Sequence, residues 1–107
     1  MTMAKWITDV YLQTDLRREQ VFQIVSKSNL GKSQPLCTLI GESIEICIRR
    51  NPDNTGDSMF GFSPLVIEVA KPEAASTNDF QAALKVLFKI LDAHHIPHRS
   101  VSEEVGQ

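Results

Sequence analysis

Asp9, Glu45 and Glu68 are the carboxylates most able to act together, because each takes an alternate position of a strand-like run. Residues 6–13 divide into Trp6, Thr8, Val10 and Leu12 on one side and Ile7, Asp9, Tyr11 and Gln13 on the other. Residues 43–50 divide in the same way, with Ile44, Ile46 and Ile48 alternating with Glu45, Cys47 and Arg49. If the isoleucines face a core, then Asp9, Tyr11, Glu45, Cys47, Arg49, Val66 and Glu68 share the opposite face. Three carboxylates beside one guanidinium are a possible general acid/base or divalent-cation site, with like-charge crowding raising one carboxyl pKa. An exposed sheet face carries polar residues in any case, and cross-strand ion pairing would place Glu45, Arg49 and Glu68 there without any chemistry. The second reading is preferred, so no catalytic residue, metal or cofactor is assigned. Asp9, Tyr11, Glu45, Arg49 and Glu68 are instead the candidate partner-binding residues.

His94, His95 and His98 form a second cluster, HHxxH, which invites a zinc hypothesis. A zinc-protease helix needs HExxH with a glutamate base, and here Pro97 interrupts the helix between the candidates. Histidine also suits a helix C-terminus, where its cationic form complements the macrodipole. Gly31-Lys32-Ser33 resembles the end of a phosphate-binding loop, but position 26 is Ser where Gly is required, and the segment reads as a turn. Asn51, Asp53, Thr55, Gly56 and Asp57 echo half of a calcium loop, with Phe62 where the bidentate glutamate belongs. Cys37 and Cys47 have neither CxxC spacing nor a framework, and read as small core or sheet residues.

The elements that would position these residues follow from periodicity and turn chemistry. After the first strand, Thr14 and Asp15 offer caps for a helix whose stripe is Leu16, Val21, Ile24 and Val25, closed by Ser28, Asn29 and Gly31. Residues 36–40 suggest a short extra strand, turned by Gly41 and Glu42 into the stronger one at 43–50. The run NPDNTGDS at 51–58 predicts an exposed connection, and residues 60–70 a third strand with Pro64 at its start or at a bulge. Ser76, Thr77 and Asn78 are candidate caps for a helix carrying Phe80, Ala83, Leu84, Leu87, Ile90 and Leu91 on one stripe, ended by Pro97. A last short strand is expected at 98–101, and residues 102–107 read as a frayed tail.

This order predicts an α+β fold: a single two-layer sandwich of the ferredoxin-like, split βαβ kind, over residues 1–107 as one domain. Its antiparallel sheet has four strands in the order 4-1-3-2, or five with the extra strand, and two helices on one face. Val10, Leu12, Ile44, Ile46, Ile48, Leu65, Ile67 and Val69 should meet Val21, Ile24, Leu84, Leu87 and Leu91. A length of 107 residues suits one core, and a net charge of -2 gives no basic excess for nucleic acid. An RNA-binding sheet would present stacking aromatics on its central strands, and only Tyr11 qualifies. No stretch approaches the ~20 apolar residues of a membrane span, and the first residues lack the pattern of a secretory signal. A cytoplasmic protein with reduced thiols is expected, without nucleic-acid or membrane partners.

The tract Ile44-Glu45-Ile46-Cys47-Ile48-Arg49-Arg50-Asn51, the polar loop through Asp57, and residues 62–69 before a leucine-rich helix resemble small uncharacterised bacterial proteins, some of which serve as immunity proteins to toxins. The resemblance implies a cytosolic inhibitor that occludes a toxin's active site and has no catalytic residues of its own. The leading expectation is thus a non-enzymatic protein-binding module, with an immunity protein as its specific form. Two alternatives use the same face. One is a ligand-binding protein or small enzyme with a concave pocket at Asp9, Tyr11, Glu45, Arg49 and Glu68. The other is a homodimer with Ile7, Tyr11, Cys47 and Val66 at a two-fold interface, against which stands a monomer.

Overall fold

Aliphatic and polar residues alternate over 43–50, and a pleated backbone sends them to opposite faces. A computed structural model describes the backbone over residues 5–51 and 64–105, with side chains over 8–51 and 64–101. The elements are β1 (Lys5–Leu12), α1 (Arg18–Ser26), β2 (Lys32–Gln34), β3 (Thr38–Ile40), β4 (Glu45–Arg50), β5 (Leu65–Ala70), α2 (Thr77–Ala93) and β6 (His98–Val105). The class is α+β. One open six-stranded sheet has the order β2-β3-β4-β5-β1-β6, and every pairing in it is antiparallel. Its four longer strands follow one another as β6-β1-β5-β4, the succession predicted for them.

The sheet is larger than the four or five strands expected. Within the segment 36–40, Thr38–Ile40 pairs as β3, while Leu36 and Cys37 form a hairpin tip at φ 62° and 53°. The other strand of that hairpin, β2, occupies positions that read as a turn in the sequence. Its three side chains are all exposed, so no hydrophobic alternation announces it. A close backbone crossing at its base, which only glycine permits, accompanies the pairing. A Cβ on Gly31 would stand 2.6 Å from the carbonyl carbon of Ile40, and one on Gly41 would collide with the Leu30 carbonyl oxygen. The Gly41 N–H also donates to the Ile44 carbonyl at 2.9 Å, which makes the expected turn into β4.

Two prolines mark where ladders end. The Asn51 N–H donates to the Pro64 carbonyl at 2.9 Å, and the Gln13 N–H to the Pro97 carbonyl at 2.9 Å. Each proline therefore closes its ladder as an acceptor, since it has no N–H to return. Asn51 is buried, contrary to the exposed loop start expected, and residues 52–63 lie outside the described residues. β6 runs through Val105, so positions 102–105 belong to a strand where a frayed tail was expected.

The helices begin and end by identifiable chemistry. Thr14 Oγ1 accepts the Leu16 N–H at 3.1 Å and shapes the approach to α1. The helix itself starts later than Thr14 and Asp15 suggest, with Gln20 Oε1 accepting the Arg17 N–H at 2.8 Å. At α2, Ser76 Oγ accepts the Asp79 N–H at 3.0 Å, as its position predicts. The far end closes at His95 rather than at Pro97: its φ is 56°, its N–H donates to Asp92, and the Ile96 N–H reaches back to Leu91. Those two bonds form a Schellman closure, with Ile96 and Leu91 both buried beside it.

Val10, Leu12, Ile46, Ile48, Leu65, Ile67 and Val69 from the strands join Val21 and Val25 of α1 and Phe80, Leu87 and Leu91 of α2 in one buried cluster. Ile44, Leu39, Leu30 and Ile96 complete it, and Ile24 and Leu84 pack against it while only partly buried. Each aliphatic fully removed from water contributes about 1.5–3 kcal/mol, an upper value that chain entropy largely offsets. Among the described residues, no helix is long and apolar enough to cross a membrane.

Candidate functional site

Strand register arranges the face opposite this cluster in rows. One row runs Val101, Asp9, Glu68, Cys47, Thr38 across five strands. A second, toward one end, runs Arg99, Tyr11, Val66, Arg49. A third, on the other side of the first, contains Ala70, Glu45 and Ile40. The five residues singled out in the sequence, Asp9, Tyr11, Glu45, Arg49 and Glu68, therefore lie on one face, with Glu68 at their centre. Asp9 is its direct cross-strand neighbour, while Glu45 and Arg49 stand on its two diagonals. Such pairs lie within reach of one another.

Among these five, Arg49 Nη1 is ion-paired with Glu68 Oε1 at 2.9 Å. Its two side chains are 55% and 43% exposed, so solvent and salt screen it. The hydrogen bond to Glu68 and that carboxylate's charge hold the Arg49 guanidinium above its usual pKa, and Asp9 adds to the same field. The arrangement thus uses the guanidinium of one row as a counter-ion to a carboxylate of the next. Asp9, Tyr11 and Glu45 are half-buried, and Val66 is buried although it lies on this face, flanked in register by Tyr11 and Arg49. Among the described residues, no group of three His, Cys, Asp or Glu side chains is placed to hold a metal ion.

Several apolar residues join the charges. Ile40 is 48% exposed and Val101 37% exposed, and they lie on opposite flanks of the same face. A hollow of about 280 Å³ is bordered by Thr38, Ile40, Glu45, Cys47, Glu68 and Ala70, together with Ile46 and Val69. That volume lies just below the roughly 300–1,000 Å³ usual for small-molecule pockets. Sequence reasoning missed Thr38, Ile40, Arg99 and Val101. Ile40 and Thr38 depend on a three-residue strand, and β6 offers the alternation of Arg99 and Val101 as its only signal.

The histidines separate by role. His94 caps α2, and His95 supplies the left-handed closure. His98 Nε2 lies 3.0 Å from Asp92 Oδ1, and its ring stacks on Phe88 at 5.1 Å between centroids. The HHxxH pattern thus terminates a helix and anchors the start of β6. The thiols are both free. Cys37 packs against the buried cluster, and burial pushes its thiol pKa up, which disfavours the reactive thiolate. Cys47 lies on the open face with its Sγ 3.6 Å from Thr38 Oγ1.

Other hollows are lined mainly by residues off this face, although Ile40 also borders the first. One of about 870 Å³ separates the α1–β2 connection from α2, with Lys32, Glu42, Asp79 and Val86 in its lining. Another of about 410 Å³ gathers Arg17, Arg18, Arg50 and Asn51 at the start of α1. Glu19 already supplies an anion there. Its carboxyl is held below the usual pKa by its own backbone N–H and by Arg18, whose Nη2 is 3.6 Å away. Comparisons with protein-family models, with curated proteins and with solved structures find no match to this chain.

Proposed function

We propose that this chain is a small, non-enzymatic protein-binding module that seats a protein partner on its open sheet face. The specific form of the proposal is an immunity protein that neutralises a toxin by occlusion in the cytoplasm. The observation that carries the reading is the mixed chemistry of that face. Glu68 and Arg49 are paired with each other, Val66 provides a buried apolar centre, and Ile40 and Val101 provide exposed apolar flanks. Interfaces between proteins combine apolar anchors with polar groups in this manner, and charges at the rim set orientation and encounter rate more than affinity. A two-layer, ferredoxin-like arrangement with both helices on the buried side is the architecture this reading assumes. Its support is that both helices contribute to the cluster lined by Ile46, Ile48, Ile67 and Val69.

The runner-up is a small-ligand protein or enzyme, supported by the hollow beside Glu45 and Glu68. Co-expression with the product of the adjacent open reading frame tests the leading form. The expected result is a stable complex and relief of that product's toxicity. A neighbour that is harmless, or that fails to bind, overturns the immunity reading.

A further inference from the structure

The two edges of the sheet are unequal. At one side β2 has only three residues, includes Lys32, and runs directly into Pro35, all features that discourage another strand from pairing. At the other side β6 has eight residues and, among the described residues, pairs with β1 alone. Its length is the first observation that points to a partner strand.

The direction of its backbone groups follows from one bond. The Gln13 N–H donates to the Pro97 carbonyl, and the register continues as Leu12 with His98, Tyr11 with Arg99 and Asp9 with Val101. In an antiparallel ladder, bonded and non-bonded pairs alternate. Arg99, Val101, Glu103 and Val105 therefore turn their N–H and carbonyl groups toward β1. His98, Ser100, Ser102 and Glu104 turn theirs outward, and none of these four is a proline.

We propose that β6 is a self-association edge, through which two copies of this chain pair antiparallel about a two-fold axis at Val101. Three independent features select that register. It matches every outward group with another, His98 with Glu104 of the second copy and Ser100 with Ser102, so the whole ladder is satisfied. It also sets position 99, an arginine, opposite position 103, a glutamate, twice across the axis. Moving the axis by one residue in either direction sets Arg99 opposite Val101 or Val105 and loses both charge pairs. Finally, Val101 meets its own copy at the axis, and Val101 is one of the exposed large apolar side chains. The pairing requires no vacancy at Arg99, because the second copy adds an acidic position to its surroundings. Two six-stranded sheets become one of twelve strands, and the two open faces become continuous. This inference does not depend on the identity of any partner seated on that face.

Sedimentation of the full chain, together with hydrogen exchange, provides the test. The wild-type protein should dimerise at or below about 100 µM, a modest affinity for a pairing of this kind. Arg99→Glu alone and Glu103→Arg alone should each weaken the dimer about tenfold or more by setting like charges opposite one another, and the double swap should restore it. Amides of Ser100, Ser102 and Glu104 should become protected as concentration rises, while those of Val101 and Glu103 remain protected throughout. A monomer at about 100 µM overturns the proposal, as does a dimer indifferent to both single swaps. Should a swapped chain fail to fold, the exchange pattern of the wild type decides: concentration-independent exchange at Ser100 and Ser102 also overturns it.

Discussion

The strands β4 and β5 present two faces built under different constraints. On the buried side Ile46, Ile48, Ile67 and Val69 are essentially inaccessible to solvent. On the open side Glu45, Cys47 and Glu68 are half-buried and Arg49 is exposed, although these residues alternate with the first set along the same backbone. One face must fill space and exclude water, so shape and polarity at each position are tightly constrained. The other must satisfy its charges and remain soluble, which many residue combinations achieve. Val66 qualifies this contrast, since it is a buried valine on the open side. The open face thus has an apolar centre that a purely solvated surface has no need to build.

Breaking the buried face should produce the largest effect. Ile46→Asp sets a carboxylate among Leu39, Val69 and the helix residues of the cluster, where no cation is available in the register. An unpaired buried charge costs several kcal/mol, a large part of the roughly 5–15 kcal/mol that holds a domain together. The expected outcome is an unfolded chain by circular dichroism at room temperature. A cooperative thermal transition close to that of the wild type would remove the distinction between the faces.

Leu39→Ala should be the next largest, and it asks whether the short strands belong to the fold or merely decorate it. Leu39 is fully buried although β3 has only three residues. Truncating a buried leucine typically costs about 2–5 kcal/mol, through lost transfer free energy and the cavity left behind. A denaturant titration should show the midpoint falling at nearly constant slope. A loss below about 0.5 kcal/mol would mean that β2 and β3 are peripheral to the core.

These contrasts also explain what could be read from the sequence. Ile44, Ile46 and Ile48 announced their side because period-two alternation is strong over six residues, and a one-residue slip would move charges into the core. The open-face set of Asp9, Tyr11, Glu45, Arg49 and Glu68 followed from that assignment. β2 was illegible because Lys32, Ser33 and Gln34 have no apolar member, and the close backbone crossing at Gly31 and Gly41 leaves no periodic signal. The stop at His95 was missed because a non-glycine residue rarely adopts positive φ, and Pro97 gave a nearer rule to apply. The HHxxH pattern looked like chemistry for the same reason, since spacing alone does not distinguish ligands from a helix terminus. The continuation of β6 through 102–105 was likewise hidden, because SEEV carries too little apolar alternation to mark a strand.

The smallest stability effect should come from Glu45→Ala, and its value lies in separating folding from binding. Glu45 sits half-buried on the open face, in register with Ala70 and Ile40 and diagonal to Glu68. Surface substitutions of this kind usually change stability by no more than about 0.5 kcal/mol, so the thermal midpoint should hardly move. Removing this carboxylate leaves the pairing of Arg49 with Glu68 in place, because that bond uses atoms of neither Glu45 nor its cross-strand partners Ala70 and Ile40. If this face seats a protein, the same variant should slow association and make it less salt-sensitive, since charges near an interface rim act mainly on the encounter. Calorimetric melts and a stopped-flow titration with the co-expressed partner measure the two quantities separately. A destabilised Glu45→Ala protein beside a stable Ile46→Asp protein would reverse the face assignment. Unchanged stability with unchanged association would leave the fold standing and move the partner surface away from Glu45.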